Sequence, residues 1–174
     1  MTALVDPDVA RWPSWVAMVE DFGGTEEMHG SGHWNLSGDP VATEAGCADF
    51  VAMTEVTAPG DLDGTRVASS YFWITAGDGG PDDEVIGFLN LRHTLNDFLL
   101  EEGGHIGYSV RPSARRRGHA SAALGLALRE AAGLGIDRVL VTCDEDNEPS
   151  RRTIEANGGV QEDVRSGKRR YWIS

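Results

Sequence analysis

Apolar residues recur along the chain at two periods, and these divide it into helices and strands. Trp12, Trp15, Val16 and Val19 lie three to four residues apart, which predicts a short helix over residues 9–21. Ala45, Ala48, Val51 and Ala52 predict a second helix over 44–58. Otherwise residues 1–45 read as irregular, broken by Pro7, Pro13 and the pair Gly23-Gly24. A turn is expected at 61–64. Residues 67–76 (VASSYFWITA) are β-branched and aromatic and read as a strand. After a Gly/Pro/Asp turn at 77–83, residues 84–93 alternate, with Val85, Gly87, Leu89 and Leu91 on one face. Two strands joined by a short turn predict an antiparallel hairpin.

Residues 94–104 form a longer connection with a turn of helix around 96–100. A third strand spans 105–111 and ends at Pro112, and a basic loop follows at 113–118. Residues 120–134 carry Leu124, Ala127, Leu128 and Ala131 at helical spacing, with Gly133 and Gly135 closing the helix. An apolar strand occupies 138–143. A helix follows at 147–156, with Pro149 in its first turn and Gly158-Gly159 behind it. Residues 160–174 finish with one or two strands, the last at 169–173. An antiparallel meander followed by strand–helix–strand–helix–strand is a mixed α/β pattern. The crossover predicts parallel strands at 105–111 and 138–143.

The length of 174 residues corresponds to a single domain. With 40% hydrophobic and 25% charged residues, extensive disorder is not expected. The net charge of −13 argues against a nucleic-acid partner. No apolar run approaches the length of a membrane span, and residues 1–16 lack the features of a signal peptide. The expectation is a cytoplasmic protein with no membrane partner, in which Cys47 and Cys143 are free buried thiols. The charge is uneven. Residues 1–100 hold 17 acidic and three basic side chains, residues 101–174 hold 11 and 12. Arg111, Arg115, Arg116 and Arg117 fall within seven residues. Such a knot in an acidic protein fits either a local anionic ligand or a solvated loop.

The chemistry concentrates in the segment V-R-P-S-A-R-R-R-G-H-A, residues 110–120. A strand feeds a loop that ends in Gly118 and opens a long helix. The first turn of a helix has unpaired N–H groups and the positive end of the dipole, so it can take a phosphate. Glycine lets backbone approach a bulky anion. Neither the nucleotide P-loop nor the dinucleotide fingerprint is present. The loop suits a pyrophosphate, and it equally suits an ordinary strand-to-helix connection.

The context adds a resemblance. Arg115-x-x-Gly118-x-Ala120 resembles the [QR]-x-x-G-x-[GA] acyl-CoA loop of the GNAT superfamily of N-acetyltransferases, here after a strand ending Val-Arg-Pro. Asn147-x-x-Ser150, between an apolar strand and a helix ending Gly158-Gly159, resembles that superfamily's second CoA motif. The runs GGHIGYSVRP and CDEDNEPSRRTIEANGG resemble a bacterial subgroup with no defined acceptor. The resemblance implies a single α/β domain with a mainly antiparallel sheet, a splayed central strand pair and flanking helices. It implies an acyl-CoA-binding core at 84–160 and an acceptor-binding part at 1–60. It further implies acetyl-CoA as cosubstrate, with no metal.

By the same resemblance, backbone N–H groups of Arg116, Arg117, Gly118, His119 and Ala120 cradle the pyrophosphate. Arg115, Arg116 or Arg117 adds charge. The pantetheine arm lies along the strand of Tyr108 and Val110, with Asn147 and Ser150 at the splay, and an amine attacks the thioester directly. Backbone at Val110 is the candidate donor to the carbonyl oxygen. The base is often a carboxylate beside this strand, and strand parity favours Glu102 over Glu101, with His105 and His93 as alternatives. A bulge in the strand would reverse that parity. The acid is often a tyrosine seven residues after the Asn, but Ile154 stands there. Ser150, Tyr108 or a water could serve instead.

The acceptor is expected to be a small-molecule or peptide amine, and the acidic N-terminal half favours a cationic one. Trp12, Trp15 and Trp34 are candidates to line its pocket or to fill the core. His29-x-x-x-His33 lacks a third ligand and is not read as a metal site. The chain is expected to be a monomer or homodimer. Three readings compete with N-acetyl transfer: an acyl-CoA-binding module of the same fold without turnover, a nucleotide-phosphate binder using the arginine loop, and acyl transfer to a hydroxyl or with a longer acyl chain.

Overall fold

Two antiparallel sheets meet along one seam in the computed structural model, which describes residues 1–57 and 66–174. The turn expected at 61–64 lies outside the described residues. The first sheet holds β1 (Ala3–Val5), β2 (Ser69–Ala76), β3 (Glu84–Arg92) and β4 (Ile106–Val110) in that order. The second holds β5 (Val139–Asp144), β6 (Val160–Arg165) and β7 (Lys168–Ile173), with β7 in the middle and β5 at the seam. Helices α1 (Trp12–Phe22) and α2 (Glu44–Thr57) cover one face of the first sheet. Helices α3 (His119–Gly133) and α4 (Glu148–Ala156) cover the other side and close over the seam.

The helices carry the apolar faces their spacing predicts. Trp15, Met18 and Phe22 bury one side of α1 against Phe50, Trp73 and Phe88. Ala123, Leu124, Ala127 and Ala131 bury the face of α3, and their small side chains let it lie close to the sheet. Helix α4 is mostly charged, and Ile154 is its one side chain fully inside the core.

Strand β3 corrects the predicted alternation. It is buried almost from end to end, because helices cover both of its faces. The register with β2 slips beside Ile74 and Thr75, which face Gly87 and Val85, so Ile86 is the extra residue of a bulge. Val85 therefore joins the α1–α2 core while Leu89 and Leu91 join the α3–α4 core. Gly87 is required inside the sheet, since a Cβ there would come within 2.2 Å of the Ser109 carbonyl oxygen.

The predicted parallel neighbours, β4 and β5, touch only at their bases. His105 N donates to Leu140 O at 2.7 Å, and Leu140 N donates to His105 Nδ1 at 2.9 Å. Beyond that point the strands part, giving the expected splay. Strand β1 is an addition that the sequence did not suggest: three residues are too few to show a period.

Candidate active site

Backbone groups along one edge of β4 are turned toward the seam. Arg92 N donates to His105 O and Arg111 N to Ile86 O, both at 2.8 Å, and the register pairs Asn90 with Gly107 and Phe88 with Ser109. Residues 105, 107, 109 and 111 thus bond to β3, and the N–H and C=O groups of Ile106, Tyr108 and Val110 point the other way. An extended ligand laid in the seam meets a strand edge there. No register slip interrupts β4.

The loop at the head of the seam is built from acid–base pairing within the chain. Asp21 Oδ2 accepts from Ser113 Oγ (2.6 Å) and Ser113 N (3.1 Å). Arg111 pairs with Glu84 at 2.6 Å, and Arg115 pairs with Glu27 at 2.5 Å while its Nε donates to Val110 O at 2.8 Å. Part of the N-terminal acidity is therefore spent on holding this loop. Hydrogen bonding pulls the Asp21 carboxyl below its ordinary range, chiefly through Ser113, and Arg115 does the same to Glu27. Arg116 and Arg117 are exposed, with no ion pair among the described residues. Gly118 ends the loop at φ 83°, in the left-handed region, and a Cβ there would meet nothing within 4 Å. No side chain caps α3, so its first N–H groups remain available to a ligand. His119 anchors β1 instead, with Nδ1 2.8 Å from Thr2 Oγ1.

A cavity of about 440 Å³ runs through the seam. Strands β4 and β5 and helix α4 line it through Tyr108, Thr142, Cys143, Asn147 and Ser150. The N-terminal region and the turn before β4 also line it, including Trp34, Phe98 and Glu102. Tyr108 Oη and Ser150 Oγ are 2.9 Å apart, and burial pushes the phenol up to about 12, so it keeps its proton at neutral pH. Asn147 caps α4, its Oδ1 accepting from Ser150 N at 3.1 Å. Burial raises the Cys143 thiol, so it does not present a ready thiolate.

Glu102 reaches the cavity by a different route from strand parity. Residues Leu99–Gly103 form a single π-helical turn, a feature often found at functional sites. The turn is held through its carbonyls. Thr142 Oγ1 donates to Glu102 O (2.5 Å), Arg92 Nη1 to Gly103 O (2.9 Å) and buried Arg170 Nε to Leu100 O (3.0 Å). Glu101 lies near Arg165, at 3.4 Å, and does not line the cavity.

Several candidates are placed elsewhere. His105 is buried, its Nδ1 occupied by Leu140 N, and burial lowers its pKa to about 4. His93 bonds Ser70 through Nε2 at 2.9 Å, outside the cavity. Trp15 fills the core and Trp12 packs against it, so only Trp34 of the three tryptophans faces the cavity. Ile154 is buried in the core, leaving Tyr108 as the tyrosine at the seam. His29 lines the cavity, whereas His33 bonds Ser31 at 2.8 Å. Among the described residues no three His, Cys, Asp or Glu side chains gather as a metal site. The sequence reading missed Arg92 and Phe98, which carried no motif.

These features are those of a GNAT-type acyltransferase, and the comparison with known families agrees. The acetyltransferase (GNAT) domain model matches residues 3–160, and the chain belongs to that family. It is thus an acyltransferase with acetyl-CoA as cosubstrate. A GNAT-family acetyltransferase from Bacillus anthracis is 17% identical with a TM-score of 0.64, over 99% of this chain and 93% of its own. RimJ from Mycobacterium smegmatis, solved with CoA-disulfide, is 19% identical with a TM-score of 0.68, over 99% and 81%. RimL, a ribosomal L7/L12 α-N-protein acetyltransferase, is 16% identical with a TM-score of 0.63, over 99% and 89%. At these identities the likeness concerns the fold. No curated protein matches the sequence. Among the described residues no helix is long and apolar enough to cross a membrane.

Proposed function

We propose that the protein is an N-acetyltransferase that transfers the acetyl group of acetyl-CoA to a primary amine by direct attack in a ternary complex. The observation that carries this reading is that Glu102 and the Tyr108–Ser150 pair line one cavity. The residues fit the donor at three places: the uncapped start of α3 behind Gly118, the edge of β4 turned away from β3, and the seam between β4 and β5. Backbone N–H groups at Gly118, His119 and Ala120 hold the pyrophosphate. Exposed Arg116 and Arg117 add charge to it, while Arg115 keeps the loop folded. The edge of β4 from Ile106 to Val110 binds the pantetheine arm. Asn147 shapes the end of the seam as the cap of α4.

Bound acetyl-CoA supplies an activated acyl carbon, whose bond to sulfur breaks as its bond to nitrogen forms. The Val110 N–H points into the seam and can donate to the carbonyl oxygen as charge builds there. Glu102 accepts the proton that the amine nitrogen gives up. Tyr108 Oη, neutral and held by Ser150, carries a proton for the departing sulfur. The protonated Cys143 thiol favours direct transfer over an acyl-cysteine route. We place the acceptor against His29, Gly30, Trp34 and the π-turn, and the donor on the core at 84–160. A cytoplasmic location is consistent with two buried free thiols.

The competing reading is an acyl-CoA-binding module without turnover, and Ile154 in place of a tyrosine supports it. Thiol release from acetyl-CoA, followed across a panel of amines, separates the two. Amine-dependent release is expected. Tight CoA binding with no release against any amine overturns the N-acetyltransferase reading.

A further inference from the structure

Arg92, at the end of β3, is a largely buried cation that lacks an acidic partner. Its Nη1 donates to the Gly103 and Gly104 carbonyls at 2.9 and 3.1 Å, and no carboxylate among the described residues forms an ion pair with it. Burial lowers its pKa from the ordinary guanidinium range, but arginine stays charged under all conditions proteins meet. Its other terminal nitrogen, Nη2, stands beside Gly107, where a Cβ would lie 3.5 Å from it, and both residues line the cavity. Two carbonyls satisfy one nitrogen and leave the charge unpaired. A buried guanidinium without a counter-ion is costly, and a planar fork of donors is suited to a carboxylate.

Its neighbours indicate what the carboxylate is attached to. Arg92 holds the backbone of the residue after Glu102, and Arg92 and Glu102 line the same cavity. Trp34 and Phe98, 56% and 63% exposed, line the same cavity and offer it apolar surface. Resting on the N-acetyltransferase reading, we infer that the acceptor is a zwitterion, an α-amino acid with a large apolar side chain. Its carboxylate meets Arg92, its amine meets Glu102, and its side chain lies against Trp34 and Phe98. An α-amino acid carries a carboxylate, an amine and a side chain on one carbon, one group for each of these features of the cavity lining. A zwitterion also has no net charge, so the acidic N-terminal half does not repel it. The nitrogen–acyl bond forms as the carbon–sulfur bond breaks, Glu102 takes the nitrogen's proton, and the products are an N-acetyl amino acid and CoA.

The test compares phenylalanine, phenylalaninamide and phenethylamine as acceptors at saturating acetyl-CoA, by thiol release. Phenylalanine is expected to have a kcat/KM about tenfold or more above the other two, the worth of a charge-assisted bidentate contact. Arg92→Met should bring that ratio close to one, and Arg92→Lys, which keeps the charge but loses the fork, should retain only part of it. Equal or better turnover of the amide, or of a peptide that begins with phenylalanine, overturns the inference. Calorimetry on the CoA-saturated protein reads the same preference without chemistry. Binding of phenylalanine over its amide with no thiol release from any amine would overturn the N-acetyltransferase reading and leave the Arg92 site standing. Equal binding of acid and amide overturns the Arg92 site whatever the turnover.

Discussion

The Tyr108 phenol and the Ser150 hydroxyl meet 2.9 Å apart across the seam, one from β4 and one from the first turn of α4. Neither element alone makes a proton donor. Burial raises the phenol to about 12, so it stays neutral, and the serine fixes its direction. Tyr108→Phe is expected to lower kcat by about tenfold to a hundredfold, since a free thiol of pKa about 8.5 is a fair leaving group unaided. Ser150→Ala should give a smaller loss, because Asn147 still caps the helix. KM for acetyl-CoA should change less than kcat in both. Steady-state kinetics of the two variants check this, and unchanged kcat in Tyr108→Phe would assign the proton to water.

Glu102→Gln removes the proton acceptor and keeps the shape of the π-turn, whose backbone is pinned by Thr142, Arg92 and Arg170. Turnover at neutral pH is expected to fall about a hundredfold with CoA affinity unchanged. The deficit should narrow as pH rises toward the amine's own pKa, where the acceptor needs no base. A pH profile of both proteins measures it. A constant ratio across pH would make Glu102 a binding group only.

Much of the fold was legible because its signals are local. The Ala-rich face of α3, the hairpin of β2 and β3 and the loop ending in Gly118 each lie within 24 consecutive residues or fewer. What the sequence concealed depends on partners far away. The bulge at Ile86 appears only once β2 is paired with β3 and both faces are covered. Arg115 sits in the acyl-CoA loop motif, but Glu27 and the Val110 carbonyl engage it, and no spacing rule links residues 27 and 115. Glu102 was favoured for a strand-parity reason that does not apply inside a π-turn. The three tryptophans were indistinguishable by sequence, and only burial separates Trp34 from Trp12 and Trp15.

His105 makes stability depend on pH. Its folded pKa of about 4 lies below the ordinary value of 6.5, because burial disfavours the charged ring. The unfolded chain therefore binds the proton more readily, and the stabilisation present above pH 6.5 is lost as pH falls toward 4. The full effect is at most roughly 3–4 kcal/mol at about 1.4 kcal/mol per pKa unit. His105→Asn keeps an acceptor for Leu140 N and removes the titration. Thermal melts between pH 7 and 4 should show a shallower decline in the variant. Parallel declines would place the acid sensitivity elsewhere.

Gly118 separates backbone strain from ligand exclusion. At φ 83°, any side chain is strained, and Gly118→Ala should cost about 1–2 kcal/mol of stability. Since open space surrounds the Cβ position, Gly118→Glu should fold about as well as the alanine variant. Its carboxylate would stand where the pyrophosphate binds, so CoA binding should be lost in Gly118→Glu and only weakened in Gly118→Ala. Melting temperatures with and without CoA distinguish the two, and retained CoA affinity in a folded Gly118→Glu protein would contradict the assignment of the loop.

The central claim is that the seam and the start of α3 form an acyl-CoA site. Calorimetric titration of the purified protein with acetyl-CoA, with ATP and NAD as controls, tests it most directly. Selective micromolar binding of acetyl-CoA is the expected result. No binding, or ATP bound equally well, would contradict the account.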